Sequence, residues 1–312
     1  SCGVCSGGNS GHDADSDQDC EGTCFGTAYV DECGECDDTS LTDCIENQTL
    51  DLDAGANLIS FYALPSDVSV EYIFSGADAV IGQGVGAVNL GDQWIGSLTE
   101  VSQDDGYWVK VSSASTIIHG PAEPVNYDAD GEVTYGIDYG NNLVSYPFSS
   151  AQDLGSALGD AAADIYAVAG QGVAALNSEN GWVGSLTAFE GGKGYWLVAT
   201  NEDGFDFNFN GVADGLTRSE QTLLRTVPEA YSYHQSDQQA FFFVQSATIN
   251  VEALENDDIV IAYNGDVIVG SRYWNGELTD IPAIGIGSEN ENMFSDYCKP
   301  GDKVSFKVLD AS

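Results

Sequence analysis

The sequence predicts a mostly β protein in three parts. These are a Cys-rich segment held by calcium and disulfides, a tandem duplication of small β-rich domains with one short helix each, and a C-terminal β-sandwich. Seven of the eight cysteines precede residue 45, several motifs occur twice, and short β-branched or aromatic runs alternate with Gly and Asp. The predicted boundaries are 1–48 for the Cys-rich spacer, 49–122 and 123–203 for the repeats, 204–222 for a linker and 223–312 for the sandwich.

The cysteines of residues 1–48 indicate disulfides in an oxidising environment, because the Gly- and Asp-rich sequence around them cannot build an apolar core. Zinc is the alternative, since Cys2-x-x-Cys5 and Cys33-x-x-Cys36 have ligand spacing, although no basic residue accompanies them. The disulfide candidates are Cys2, Cys5, Cys20, Cys24, Cys33, Cys36, Cys44 and Cys298. The first seven are an odd number. One of them therefore pairs with Cys298 or with a cysteine elsewhere in a longer polypeptide, of which we expect this chain to be a piece.

Four motifs of the first repeat return in the second. Gly-x-Asn-Leu at 55–58 returns at 140–143, and Gln-Gly-Val at 83–85 returns at 171–173. Trp-x-Gly-Ser-Leu-Thr at 94–99 returns at 182–187, and Gly-Tyr-Trp at 106–108 returns at 194–196. Strands are predicted at 58–62, 79–81, 93–98 and 107–111, and Ser and Asp at 66–69 and 149–153 are placed to cap one helix per repeat. We interpret the recurring tryptophans as core residues.

The residues after 223 predict strands that close a small sandwich. Gln239–Val244 has the apolar composition of a buried strand, and Val304–Leu309 is a closing strand. Apolar runs at 259–263 and 266–270 flank Asn264 and Gly265, a pair that favours a type I′ hairpin turn. Trp274 has no counterpart in another copy, so it is the candidate for an exposed ligand contact, with packing at a strand end as the alternative.

Acidic and amide residues alternate in three loops, which points to calcium because calcium binds hard oxygen ligands. The candidate ligands are Asp13, Asp15, Asp17 and Asp19 in the first loop, Asn126, Asp128 and Asp130 in the second, and Asp206, Asn208 and Asn210 in the third. Repulsion between carboxylates favours a cation over a solvated linker in the first loop. A turn between the repeats is at least an equal alternative for the second loop. Alternation with phenylalanines at 205, 207 and 209 favours a strand for the third.

Three stretches resemble modules of large secreted and cell-surface proteins of marine bacteria. They are the Asp-Cys-x-Gly-x-Cys and Asp-x-Cys-Gly-x-Cys runs between 19 and 36, the duplicated motifs, and the C-terminal unit that begins Gln-Ala-Phe-Phe-Phe-Val. This resemblance covers most of the chain and implies an extracellular multidomain protein, but it implies no activity. Separately, the alternating Asp residues at 13–19 resemble the calcium-binding type 3 repeats of thrombospondins, over one short motif only.

The charge balance limits the partners. The 312 residues include 50 acidic and 8 basic side chains, a net charge of -42, so nucleic acid is excluded as the expected partner because phosphate binding needs clustered cations. No apolar run is long enough to predict a membrane span. Nevertheless 43% of the residues are hydrophobic, which is sufficient for folded cores. We interpret most of the acidity as a coat suited to a medium rich in cations.

These features predict an extracellular structural or adhesive module at a cell surface that is not an enzyme and uses calcium. Its expected partners are other protein subunits or cell-surface components, including glycans, and open sheet edges would allow a homopolymeric filament. The alternatives are a carbohydrate-binding region of an exported polysaccharide-degrading enzyme and a subunit of a virion or appendage. No Gly-x-Ser-x-Gly motif anchors a hydrolase triad, and 50 carboxylates make acidic pairs uninformative.

Overall fold

The computed structural model describes residues 2, 18–20, 22–30, 36–37, 46–91, 93–124, 133–211, 224–287 and 294–311. Within these residues the chain is mostly β, as the sequence predicts, and the strands form several antiparallel sheets. We call residues 46–124 the first unit, 133–211 the second unit and 224–311 the C-terminal unit, because each surrounds its own apolar core. No helix in the described ranges is long and apolar enough to cross a membrane.

Disulfides hold the Cys-rich segment. Cys2 is bonded to Cys24, and Cys20 is also disulfide-bonded. Strands β1 (Tyr29–Val30) and β2 (Cys36–Asp37) pair antiparallel. Because the sulfur of Cys2 is bonded to another sulfur, Cys2 is not the zinc ligand that its spacing left open. The candidates Cys5, Cys33 and Cys44 lie outside the described residues.

The first unit combines a five-stranded sheet with a smaller three-stranded sheet. Its elements are β3 (Glu46–Leu52), β4 (Gly55–Ile59), β5 (Ala63–Leu64), α1 (Val70–Ile73), β6 (Ala79–Ile81), β7 (Gly86–Asn89), β8 (Trp94–Gly96), β9 (Tyr107–Val111) and β10 (Ser115–Pro124). The strand orders are β4-β9-β6-β7-β8 and β3-β10-β5. The observed bounds of β6 and β9 are the predicted ones. Helix α1 follows Ser69, whose hydroxyl accepts a hydrogen bond from the Tyr72 N–H at 3.4 Å.

The second unit repeats this succession. Its elements are β11 (Tyr135–Ile137), β12 (Gly140–Val144), β13 (Gln152–Asp153), α2 (Leu154–Leu158), a 3₁₀ helix (Gly159–Asp164), β14 (Ile165–Gly170), β15 (Val173–Ser178), β16 (Gly181–Gly184), β17 (Ala188–Phe189), β18 (Tyr195–Ala199) and β19 (Phe205–Phe207). The large sheet has the order β12-β18-β14-β15-β16. In both large sheets, the strand that comes first in the sequence therefore pairs with the one that comes last, and that last strand also pairs with the second. Asp153 caps α2 by accepting from the Ser156 N–H at 2.9 Å.

Strand β19 lies inside the range 204–222 that the sequence assigned to a linker. It pairs with β11, and Phe207 and Phe209 are buried in the core of the second unit. The ring of Phe209 meets those of Tyr135 and Phe189 edge to face, with centroids 5.1 Å apart in each case. The second unit therefore extends through Phe209, because these rings complete its core.

The C-terminal unit contains a three-stranded sheet and two two-stranded sheets. Its elements are a 3₁₀ helix (Glu229–Tyr231), β20 (Gln239–Val244), β21 (Thr248–Ile249), β22 (Glu252–Ala253), β23 (Ile259–Asn264), β24 (Val267–Tyr273), β25 (Thr279–Ile284) and β26 (Val304–Leu309). The sheets are β24-β23-β26, β20-β25 and β21-β22. Two expectations are corrected. Asn264 pairs with Val267, so the turn residues are Gly265 and Asp266. Strand β20 is half-exposed rather than buried, because its first four residues alternate between half-buried and exposed positions.

Cys298 is a free thiol, so the suggested disulfide to an N-terminal cysteine is absent. It packs against the core of the C-terminal unit, and its backbone exchanges hydrogen bonds with strand β25 and the residues after it. Burial and the nearby Asp302 carboxylate raise the pKa of the thiol. The protonated form is therefore favoured, and Cys298 is a poor nucleophile.

The Asn side chain of each Gly-x-Asn-Leu motif hydrogen-bonds to the backbone of the preceding turn. The Asn57 side chain accepts from the Asp53 N–H at 2.8 Å and donates to the Asp53 carbonyl at 2.8 Å. Asn142 makes the same two bonds to Asp138, at 2.9 and 2.8 Å. Because both amide groups are used and both side chains are buried, the motif recurs for a structural reason.

The Gln of each Gln-Gly-Val motif reaches into the other unit. The side-chain oxygen of Gln83 accepts from the Leu143 N–H of the second unit at 2.6 Å. The side-chain oxygen of Gln171 accepts from the Leu58 N–H of the first unit at 2.8 Å. Since the two glutamines and the two leucines hold equivalent motif positions, the contact is reciprocal. We call it the glutamine exchange.

Further reciprocal bonds lie beside the glutamine exchange. The Ser60 N–H donates to the Gly192 carbonyl, and the Ser145 N–H donates to the Asp104 carbonyl, both at 3.0 Å. An apolar cluster fills the space between the units: Ala56, Leu58, Trp108 and Leu143, with Ile81 and Trp196 packed against it. The two units are therefore joined by a buried interface with both polar and apolar parts.

The recurring tryptophans do not all lie in a core. Trp108 is 2% exposed, as a core residue should be, and Trp196 is half-buried against the same cluster. Trp94 and Trp182 lie half-buried on the edge strands β8 and β16. The core interpretation is therefore fully right for Trp108 alone, because the other three rings remain partly accessible.

Substituting Gly194 tests the inter-unit contact. A Cβ on Gly194 would lie 2.6 Å from the Ile59 carbonyl, so the two units would have to move apart. We expect Gly194→Ala to lower the free energy of unfolding by about 1–3 kcal/mol, measured by urea denaturation. Gly211→Ala is the control, because nothing lies within 4 Å of its added Cβ. Equal unfolding midpoints for the two variants would show that the close approach carries no energetic weight.

Candidate functional site

A buried ion pair joins the C-terminal unit to the second unit. The Arg272 guanidinium on β24 lies 3.0 Å from the Asp280 carboxylate on β25, and their side chains are 8% and 2% exposed. Asp280 also accepts from the Ser185 N–H at 2.7 Å and from the Ser185 hydroxyl at 2.6 Å. Arg272 donates to the Gly172 carbonyl at 2.7 Å. Each member thus binds both its partner and the second unit, and we call the pair the clasp.

The electrostatics of the clasp are those of a desolvated but satisfied pair. Burial raises the pKa of Asp280, and this outweighs the opposing effects of Arg272 and the Ser185 hydrogen bonds. The Ala174 N–H, at 3.3 Å, adds another donor to the carboxylate. Because burying two charges costs solvation energy that such bonds mainly offset, the clasp fixes docking geometry more than it adds stability.

Gln239 adds a second set of bonds to the turn between β14 and β15, where Arg272 also binds. Its side chain donates to the Gly170 carbonyl at 2.7 Å and accepts from the Gly172 N–H at 3.1 Å. Gly172 has a φ of +67°, which a glycine adopts without strain, so the turn can present both backbone groups. In the first unit the equivalent Ser97 is exposed, whereas Ser185 is buried beneath Asp280. Among the described residues, this position therefore contacts the C-terminal unit in the second unit and not in the first.

Docking creates a cleft of about 490 Å³ between the edge strand β16 and the loop that follows β24. Trp182 lines it from the second unit, and Tyr273 and Trp274 line it from the C-terminal unit. The Arg225 guanidinium carbon lies 3.8 Å from the ring centroid of Tyr273, within cation–π distance. The cleft therefore combines aromatic surfaces with polar groups and is our candidate site.

Trp274, the sequence candidate for ligand contact, is 7% exposed rather than open to solvent. Its ring packs in the C-terminal core, and its backbone N–H donates to the Asp258 carbonyl at 2.8 Å. The small exposed part of the residue belongs to the cleft wall. Sequence reasoning missed Trp182, which it placed in a core with Trp94. Trp182 differs from Trp94 because the C-terminal unit lies opposite it. No residue close to Trp182 in the sequence indicates that contact.

Asp19 is the one predicted ligand of the first calcium loop that the structure describes. Its carboxylate accepts from the Thr23 N–H at 2.7 Å and from the Ala28 N–H at 3.3 Å. These bonds close the turn between Cys20 and Cys24. Each oxygen keeps further lone pairs, so this turn is compatible with a role in metal binding. The remaining candidates of the first two loops, Asp13, Asp15, Asp17, Asn126, Asp128 and Asp130, lie outside the described residues.

The third calcium loop has a structural arrangement of its own. Asp206 is exposed on β19, and Asn208 follows that strand half-buried. Asn210 donates from its side chain to the Ser156 carbonyl at 2.8 Å and from its N–H to the Ala157 carbonyl at 2.9 Å, which satisfies the end of α2. Across the described ranges, no group of three or more His, Cys, Asp or Glu side chains is arranged to hold a metal ion.

Comparison with known proteins adds no relative. No protein-family model matches the chain, and no curated protein or solved structure is significantly similar to it.

Removing one member of the clasp tests whether it holds the two units together. We expect Asp280→Ala to lower the free energy of unfolding by about 3–5 kcal/mol, because Arg272 would remain buried and unpaired. Asp257→Ala is the control. It breaks the exposed ion pair with Arg225, whose side chains are 53% and 73% exposed for Arg225 and Asp257, and we expect a change within about 1 kcal/mol. Similar losses in both variants, measured by urea denaturation, would contradict the assigned role of the clasp.

Proposed function

We propose that the chain is a structural module of an extracellular protein, in which the two repeats and the C-terminal unit form one rigid support. The observation that carries this proposal is the way the units are joined. In the glutamine exchange and the clasp, side chains of one unit bond to backbone groups of the neighbouring unit, and the side chains of the clasp are buried. Such contacts favour one fixed arrangement of the units, which suits a supporting role better than a catalytic one.

We further infer that the first and second units are a tandem duplication and that the C-terminal unit is a small β-sandwich. The shared strand succession and the matched bonds of Asn57 and Asn142 support the duplication. The sheets β24-β23-β26 and β20-β25 contribute to one core, which supports the sandwich. The sequence resemblance to secreted modules of marine bacteria suggests that the partners would be other subunits or components of the cell surface.

The extracellular location rests on the cysteines and the charge. Disulfides at Cys2, Cys20 and Cys24 would not persist in a reducing cytosol. The net charge of -42 suits a medium whose salt screens repulsion between carboxylates.

Antibody labelling of intact producing cells tests the location. An antibody raised against the purified chain is expected to label intact cells or their medium, because a surface module is accessible without permeabilisation. An antibody against a cytosolic protein of the same cells is the control for leakage. Labelling that requires permeabilisation would refute the extracellular proposal.

Calcium is proposed as a ligand of the acidic loops, above all of Asp13, Asp15, Asp17 and Asp19. A cation there would relieve repulsion between carboxylates that no nearby Lys or Arg can offset, since the first Lys or Arg of the chain is Lys110.

Chelation tests the calcium proposal. Millimolar calcium is expected to stabilise the chain by about 1–3 kcal/mol relative to chelator, because a ligand that binds only the folded state shifts the unfolding equilibrium. Magnesium at the same concentration is the control, since it dehydrates reluctantly and demands stricter geometry. Identical unfolding curves with calcium, magnesium and chelator would rule out a calcium ligand.

A further inference from the structure

We propose that the cleft between the second and C-terminal units binds a neutral oligosaccharide. This goes beyond the structural role, because a support needs no ligand pocket. The volume of about 490 Å³ lies in the range of sites that hold small ligands. The proposal rests on three properties of the cleft: its aromatic walls, its polar rim and its charge.

The aromatic walls come from two different units. Trp182 is half-buried on β16, where it lines the cleft and also packs on the core of the second unit. Tyr273 is half-buried on the other side, beside Trp274. Aromatic ring faces carry partial negative charge and attract the weakly positive C–H groups on one face of a sugar ring. Because Trp182 lies on one side of the cleft and Tyr273 on the other, both units contribute an aromatic residue to its lining.

The polar rim supplies hydrogen-bonding groups that the fold does not use. Asn256, Asn275 and Glu277 line the cleft and are exposed. None of their side chains makes a hydrogen bond or ion pair within the described part of the chain. Amide and carboxylate groups bind sugar hydroxyls as donors and acceptors, so this rim can give orientation where the rings give contact area.

The charge of the cleft selects a neutral ligand over an anionic one. Its two arginines are both neutralised: Arg272 by Asp280 at 3.0 Å and Arg225 by Asp257 at 2.9 Å. Glu277 adds a negative charge, and the whole chain carries -42. A uronic acid or sulfated sugar would therefore enter a repulsive field in which both arginines of the described lining are already paired.

The duplication provides an internal comparison. Trp94 holds the position in the first unit that Trp182 holds in the second, yet it does not line the cleft. The site therefore depends on docking of the C-terminal unit and not on the repeat motif alone. Trp94→Ala is accordingly a matched control for Trp182→Ala, because both remove the same ring from the same strand of the same kind of sheet.

Calorimetric titration of the whole chain with defined sugars tests the proposal. The neutral probes are cellohexaose, laminarihexaose, xylohexaose and mannohexaose, and trigalacturonate is the anionic probe. We expect at least one neutral probe to bind, and Trp182→Ala to weaken that binding by about tenfold or more while Trp94→Ala leaves it unchanged. Since Trp182 also packs on a core, Asn275→Ala at the exposed rim is a second variant, with an expected loss of about threefold or more.

Several results would overturn the proposal. Binding that survives both Trp182→Ala and Asn275→Ala would place the sugar elsewhere, and an equal loss in Trp94→Ala would point to a general effect on folding. Binding of trigalacturonate alone would refute the neutral ligand. Absence of binding by every probe up to about 10 mM would refute the site itself.

Discussion

The contact between the two repeated units is the constraint on which the rest of the structure depends. Gln83 and Gln171 each hold a leucine N–H of the opposite unit, and Gly106 and Gly194 bring the opposing backbones within a distance that no Cβ would permit. This contact fixes the two large sheets relative to each other, and the buried cluster around Trp108 excludes water from it. Because a unit of this size buries a limited core, sharing an interface is also how each unit gains apolar burial.

Docking of the C-terminal unit breaks the symmetry of the pair. Asp280 covers Ser185, while the equivalent edge of the first unit stays open, with Val88 and Ile95 about half exposed at 49% and 50%. Joining two units through the clasp costs solvation free energy, because two charges must be desolvated. In return, its bonds form only when the two units are accurately aligned. That geometric strictness matters for the cleft, whose opposite walls come from different units and would separate if the docking angle changed.

Local pattern predicted much of the fold. Alternation and turn residues located β6, β9, β20 and β26 with their observed bounds, and the caps at Ser69 and Asp153 follow from residue type alone. The inter-unit chemistry could not be predicted in this way. Gln83 and Asp280 look like surface residues in the sequence, because their partners lie 60 and 95 positions away. Trp182 likewise has the same local sequence as Trp94, and only a distant unit makes their surroundings differ.

The glutamine exchange has the form of an isologous interface, in which each partner gives and receives the same groups. The same bonds would let two separate units with this motif set associate as a symmetric pair. Joining two copies in one polypeptide turns such an association from a concentration-dependent equilibrium into an intramolecular one, with a large gain in effective concentration. Because the pair is held in one polypeptide, its two outer edges need not be alike: the edge of the second unit contacts the C-terminal unit, while Val88 and Ile95 stay exposed on the edge of the first.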